Sequence, residues 1–158
     1  TMKQMQSNGT ILDLDLPRGL RLNNPGNIRI SQTKWQGEVI PSADKSFKQF
    51  KTLAYGYRAL LKLVRNYFIF YDLNTIEKII NRWAPPSENN TKAYIDFVCK
   101  DANIGIKTTI DVYNESMMCA IAAAISKMEN GVNIKVDTKA IHEFQFKHCT
   151  IIRQSRQH

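Results

Sequence analysis

Glu129 stands out by where it falls. Met117, Ile121, Ile125 and Glu129 are spaced four apart and share one helical face, so an acid continues an otherwise apolar stripe. It also falls in the last turn of that expected helix, just ahead of Asn130-Gly131, where the helix dipole disfavours negative charge. Burial and the C-terminal end of a helix both favour the neutral form of a carboxyl group. A carboxylic acid that keeps its proton near neutral pH is what glycosidic bond cleavage uses to protonate the leaving oxygen. An exposed Glu at a frayed helix end, or one paired with a cation such as Lys127, fits the same spacing.

Other side chains can complete such a site, and each has a plainer role open to it. Asp44 and Glu38 lie in a loop-rich stretch where a second acid can face Glu129, and where acids also make turns. Asp13 and Asp15 alternate with Leu and read as solvent-facing strand positions. Trp35, Trp83 and Tyr94 offer flat apolar faces on which sugars pack; Trp83, on an Ile-rich helix face, fits a core equally well. Asn24, Asn27 and Asn89 can exchange hydrogen bonds with N-acetyl groups, although turn and cap chemistry explains them too.

Metal and nucleophile chemistry find little support in the spacing. His142 and His148 are six apart, which does not stack them on a helix face, and His158 is in the tail. There is no H-E-x-x-H, C-x-x-C, G-x-S-x-G, Walker loop or dinucleotide fingerprint. Cys99, Cys119 and Cys149 are an odd number, widely spaced among apolar neighbours, which predicts buried thiols rather than disulfides and folding in a reducing cytosol. A Cys99–His142 nucleophile pair is conceivable but has no local signature.

The elements that must position these groups read as mainly α (α+β). Residues 1–17 form a leader or arm in which Ile11 to Leu16 alternate like an edge strand. Residues 18–50 carry turn chemistry at Asn23-Asn24-Pro25-Gly26-Asn27, with short β-type runs at Ile28–Ile30 and Val39–Ile40 that suggest a small hairpin around Gln36-Gly37. From Leu53 the period turns helical, with Tyr57, Leu60, Leu61, Val64 and Phe68 on one stripe. A helix capped at Asn74 ends at Pro85-Pro86, and another follows the Asn89-Asn90 cap until Gly105. The helix from about Asn114 to Glu129 is apolar nearly all round, as a central helix must be. A last helix runs from an Asp137 cap through Ile141, Phe144, His148 and Ile152, leaving 153–158 as a polar tail.

A chain of 158 residues fits one domain with a real core, here 18–152. No apolar run spans a bilayer, and the N-terminus lacks the regions of a signal peptide. The net charge of +8 attracts polyanions such as nucleic acid, anionic lipid or an acidic cell wall. Its Lys and Arg residues are scattered rather than clustered, which argues against a nucleic-acid binder.

The string Arg18-Gly19-Leu20-Arg21-Leu22-Asn23-Asn24-Pro25-Gly26-Asn27-Ile28-Arg29 resembles the opening of a phage and bacterial family of lysozyme-like murein hydrolases related to the virion-associated cystovirus lysis protein. The likeness continues through Trp35-Gln36-Gly37, Phe47-Lys48-Gln49-Phe50, Tyr55-Gly56-Tyr57-Arg58-Ala59, Asn74-Thr75-Ile76, Arg82-Trp83-Ala84-Pro85-Pro86-Ser87-Glu88-Asn89-Asn90-Thr91, Tyr94 and Met128-Glu129-Asn130-Gly131. The resemblance implies a lysozyme-like helical domain that cleaves peptidoglycan glycan strands as a muramidase or lytic transglycosylase. By position, Glu129 becomes the general acid and Asp44 a second catalytic carboxylate, with Asn24, Asn27, Trp35, Gln36, Phe50, Tyr55, Trp83, Asn89 and Tyr94 as substrate contacts. In glucosaminidase-type relatives the Glu-bearing helix precedes the Asn-rich turn, so the order here implies a circular permutation.

No metal or cofactor is implied. The expected partner is bacterial peptidoglycan, met by a monomer made in the bacterial cytoplasm and delivered to the wall by a holin, a virion or a secretion machine. A wall endopeptidase, a non-catalytic wall-binding or virion structural module and, third, a nucleic-acid binder are the rival readings.

Overall fold

The computed structural model describes residues 2–144. In chain order the elements are β1 (Lys3–Met5), β2 (Ile11–Asp13), α1 (Arg18–Arg21), β3 (Glu38–Val39), β4 (Gln49–Phe50), α2 (Leu53–Tyr71), α3 (Ile76–Trp83), α4 (Thr91–Ala102), α5 (Glu115–Asn130) and α6 (Thr138–His142). The chain is thus mainly helical, with two small antiparallel sheets, β1–β2 and β3–β4, among the described residues. No helix among them is long and apolar enough to cross a membrane.

The core forms around α5, which packs against α2, α4 and α6. Met118, Ile121, Ala122, Ala124 and Ile125 of α5 meet Tyr57, Leu60, Leu61 and Val64 of α2 and Tyr94, Ile95 and Val98 of α4. The α3 residues Ile76, Ile79 and Ile80, fully buried, close the cluster. Each such side chain contributes about 1.5–3 kcal/mol on leaving water. Local chemistry sets the helix ends. The Asn114 side chain accepts from Met117 N at 3.0 Å to start α5, and Gly131, at φ 127°, lets the chain leave it. Asn90 and Asp137 cap α4 and α6 in the same way.

The cap of α3 lies one residue later than the sequence pattern suggests. Thr75, not Asn74, accepts from Lys78 N, while the Asn74 side-chain oxygen accepts from the Lys78 ammonium at 3.2 Å and its backbone carbonyl from Ile110 N at 2.8 Å. The expected arm is a hairpin, β1–β2, whose Leu12 is buried against Leu22 and Phe47 while Ile11 stays exposed. Of the last helix, Ile141 is buried as expected, but His148 and Ile152 lie outside the described residues.

The expected hairpin between Ile28–Ile30 and Val39–Ile40 does not form. Residues 46–51 run between the two instead. Lys48 N donates to Ile28 O at 2.9 Å and Ile30 N to Ser46 O at 2.9 Å on one side, while β3 pairs with β4 on the other. The burial of Lys48 explains this. Its ammonium donates to Thr33 O at 2.8 Å and to both Glu38 carboxylate oxygens, at 3.2 and 3.1 Å, so these loops wrap one enclosed charge. The layer seats on α2 at Gly56, where a side chain would strike the Asn23 carbonyl.

Candidate active site

The C-terminus of α5 leaves backbone carbonyls without helical partners, and the Asn-rich turn supplies donors to them. Asn130 Nδ2 donates to Ser126 O at 3.0 Å and to Pro25 O at 2.8 Å, tying the turn to the helix end. Asn27 Nδ2 reaches Glu129 O at 3.3 Å and donates to Glu129 Oε1 at 3.0 Å. Asn27 adopts φ 49°, a left-handed conformation that Asn tolerates better than most residues, and this turns its amide toward α5. Gly19 makes the approach possible. The Asn27 and Asn130 side-chain oxygens, which lack hydrogen-bond partners, converge where a Gly19 side chain would stand.

The second carboxylate oxygen belongs to another element. The hydroxyl of Tyr94, on α4, donates to Glu129 Oε2 at 2.8 Å. Burial, then the nearby Glu129 carboxylate, push the Tyr94 hydroxyl far above its ordinary range, so it remains a donor. The Trp83 indole beside the same hydroxyl offsets a small part of that rise. Trp83 is held in turn by Gly26, whose bare Cα faces the ring, and by edge contact with Tyr67, with ring centroids 6.3 Å apart. The result is a row of side chains, Trp83, Tyr94 and Glu129, drawn from α3, α4 and α5, with the hydrogen bond between the last two.

Glu129 opens onto a cleft of about 670 Å³. Gly26, Asn27 and Ile28 line it, as do Trp83, Glu88 and Asn89. Arg18, Arg29 and Phe47 also line it, with the guanidinium carbons 3.7 Å and 5.0 Å from the Phe47 ring centroid. The cleft therefore joins an aromatic surface, two fixed cations and two carboxylates, Glu129 and Glu88. Such a set can grip a polar, partly anionic chain and move a proton at one point along it.

Of the residues singled out from sequence, Glu129, Asn27, Trp83 and Asn89 line the cleft, and Tyr94 supports it from beneath. The others do not line it. Asp44 Oδ1 accepts from Ser46 N at 2.8 Å and Phe47 N at 3.0 Å, so its carboxylate holds its own turn instead of facing Glu129. Asn24 is fully buried, and its amide is spent on Ile28 O, Lys48 O and Ile28 N; it builds the loop and cannot bind substrate. Phe50, 1% exposed, packs on Ile28 and Ala59, with Trp35 against the same cluster. Tyr55 lies against Gly37 and stacks on Phe144 with centroids 4.9 Å apart, and Gln36 is exposed beyond the cleft lining. Glu38 is the ion-pair partner of Lys48. Lys127 pairs with Asp101 at 3.0 Å, not with Glu129. Burial, then Asp96 and Glu77, raise the Cys99 thiol, and the cysteine beside His142 is Cys119, so the Cys99–His142 pair does not form.

Three charged cleft residues escaped the sequence reading of the site. Arg18 and Arg29 bracket the Asn-rich string and look there like ordinary surface cations. Glu88 sits in the string after Pro85-Pro86, where an acid looks like part of a turn.

A mainly helical chain whose buried central helix ends in a carboxylate at the wall of an open cleft is the class of protein that fold and site define. No family model matches the chain. It is 40% identical over 119 residues to Protein P5 of Pseudoalteromonas phage PM2, an alignment covering 73% of this chain and 72% of the phage protein. The chain belongs to the family of that phage protein, whose name states no activity.

Proposed function

We propose that this chain cleaves the glycan strands of bacterial peptidoglycan, with Glu129 as general acid, on a lysozyme-like fold permuted relative to glucosaminidases. The observation that carries the reading is the setting of Glu129: at the end of a buried helix, oriented by Asn27 and Tyr94, at the wall of the cleft. In this reading Glu129 gives its proton to the glycosidic oxygen as the C–O bond breaks. Glu88, which shares the cleft, replaces Asp44 as the second carboxylate, to activate water or to stabilise the positive charge on the sugar ring. In the transglycosylase alternative a sugar hydroxyl attacks instead, and the deprotonated Glu129 takes its proton. Arg18 and Arg29 suit a substrate that carries carboxylates, as the peptidoglycan chain does. Kinship with a phage protein agrees with delivery to the wall during phage infection, by a holin or a virion.

Clearing of purified peptidoglycan tests the reading. Glu129→Gln is expected to abolish it while circular dichroism stays unchanged; retained clearing would overturn the assignment. Mass spectrometry of the products separates the two routes, since hydrolysis leaves reducing ends and transglycosylation leaves anhydro ends. A non-catalytic wall-binding module is the second reading. It is favoured by the fact that both Glu129 oxygens already accept hydrogen bonds, so that Glu129 also fastens the Asn27 turn to α5. Wild-type protein that binds peptidoglycan without releasing any product would favour it.

A further inference from the structure

At the end of α5 remote from Glu129, three side chains of different chemistry converge. Glu115 and Cys119 are four apart on α5 and so share a face, and His142 reaches them from α6. Glu115 Oε1 lies 2.9 Å and Cys119 Sγ 3.6 Å from the same atom, His142 Nδ1, and all three ligand atoms lie within 4.8 Å of one another. We propose that Glu115, Cys119 and His142 bind a divalent transition metal of the zinc class, independently of the cleft.

The argument is geometric and chemical. A Cys–His–Glu nucleophile triad uses the two ring nitrogens separately, one for the thiol and one for the carboxylate. Here sulfur and oxygen meet at a single nitrogen, whose one proton cannot point to both. A metal ion satisfies that convergence. A tetrahedral zinc with bonds of about 2.3 Å to sulfur and about 2.0 Å to nitrogen and oxygen sets sulfur roughly 3.5 Å and oxygen roughly 3.3 Å from the nitrogen, so the sulfur already stands at the required separation and the Glu115 oxygen, at 2.9 Å, moves out by a few tenths of an ångström. Thiolate with imidazole selects zinc-class ions over magnesium or calcium, and three protein ligands leave one position for water. The sulfur is fixed by burial, and the helix that carries His142 is anchored, while the His142 and Glu115 side chains are half-exposed and able to adjust. Cys119 is buried within α5, and His142 follows Ile141, whose side chain is 2% exposed, on a helix capped by Asp137. An ion there joins α6 to α5.

The test is a titration of the full, chelator-treated chain with Co²⁺, a coloured stand-in for zinc. One equivalent is expected to bind, with a thiolate-to-cobalt charge-transfer band in the near ultraviolet and visible bands of tetrahedral intensity, all bleached by Zn²⁺. Zn²⁺ is also expected to raise the melting temperature. Cys119→Ser should remove the charge-transfer band, whereas Cys99→Ser and Cys149→Ser should keep it. His142→Ala, a change at a half-exposed side chain that leaves the core intact, should weaken binding by roughly a hundredfold. No charge-transfer band in the wild type, or a band that survives in Cys119→Ser or at full affinity in His142→Ala, would overturn the site. Peptidoglycan cleavage is not the readout, so failure here leaves the cleft assignment standing.

Discussion

The two ends of α5 each carry a glutamate, and their settings are opposite. Glu115 stands in the first turn, where the helix dipole favours negative charge, half-exposed and 2.9 Å from His142. Local electrostatics favours a carboxylate there, with or without an ion. Glu129 stands in the last turn, where the dipole opposes it, and is oriented by two uncharged donors from other elements, Asn27 and Tyr94. A carboxylate placed against its local field, yet braced by distant parts of the chain, marks a position that the fold is arranged to hold. The sharpest way to break the contrast is Glu129→Gln. Glycan cleavage is expected to fall by about 10²–10⁴-fold, the usual worth of a general acid. The fold should tolerate the change, because Asn27 can rotate its amide and present its unpartnered oxygen to the new NH₂ group. A melting temperature several degrees lower would recast Glu129 as a structural clamp.

Gly19→Ala attacks the same end without touching the carboxylate. The added Cβ would stand about 2.8 Å from the Asn27 oxygen and 2.7 Å from the Asn24 carbonyl, prying the turn from the helix end. Overpacking of this kind costs about 1–3 kcal/mol, readable by urea denaturation, and cleavage should fall with it. Tyr94→Phe is gentler. It removes the donor to Oε2, at about 1 kcal/mol for the lost hydrogen bond, and should lower kcat about fivefold. It also has a pH signature. The folded-state value of Tyr94 is raised, so above about pH 10 the unfolded chain loses the proton first. Stability therefore falls as pH rises past that point, and the fall should be shallower in Tyr94→Phe; an identical alkaline limb would show that Tyr57 and Tyr67, whose values are also raised, account for all of it.

What the sequence made legible follows from how local the cause is. The caps at Asn90, Asn114 and Asp137, the stop at Pro85-Pro86 and the apolar stripe leading to Glu129 are written within a few residues of their effect, and each is found in place. Pairing in the loop layer is not local. Ile28–Ile30 and Val39–Ile40 have equal claim to be partners until residues 46–51, further along the chain and carrying the enclosed Lys48 ammonium, lie between them. The asparagines show the same limit within a single turn. Asn24 and Asn27 are alike as turn residues, yet one is buried with its amide consumed by backbone and the other faces Glu129. Tyr94 reads in sequence as a surface for sugar, and only its place beneath Glu129 reveals a hydrogen-bond donor.

Lys127 gives the smallest and most discriminating test, because it shares the last turn of α5 with Glu129 and carries the charge the dipole prefers there. Its ammonium meets Asp101 at 3.0 and 3.1 Å, with both side chains about one-quarter exposed, so the pair ties α5 to α4 and not to the cleft. Lys127→Gln is therefore expected to cost about 0.3–1 kcal/mol of stability, the range of a partly exposed pair at a helix end, and to leave cleavage and its pH profile unchanged. A shift of the acidic limb of that profile would mean that Lys127 acts on Glu129 after all. The carboxylate would then be balanced by a neighbouring cation, and the two ends of α5 would be governed by the same electrostatics.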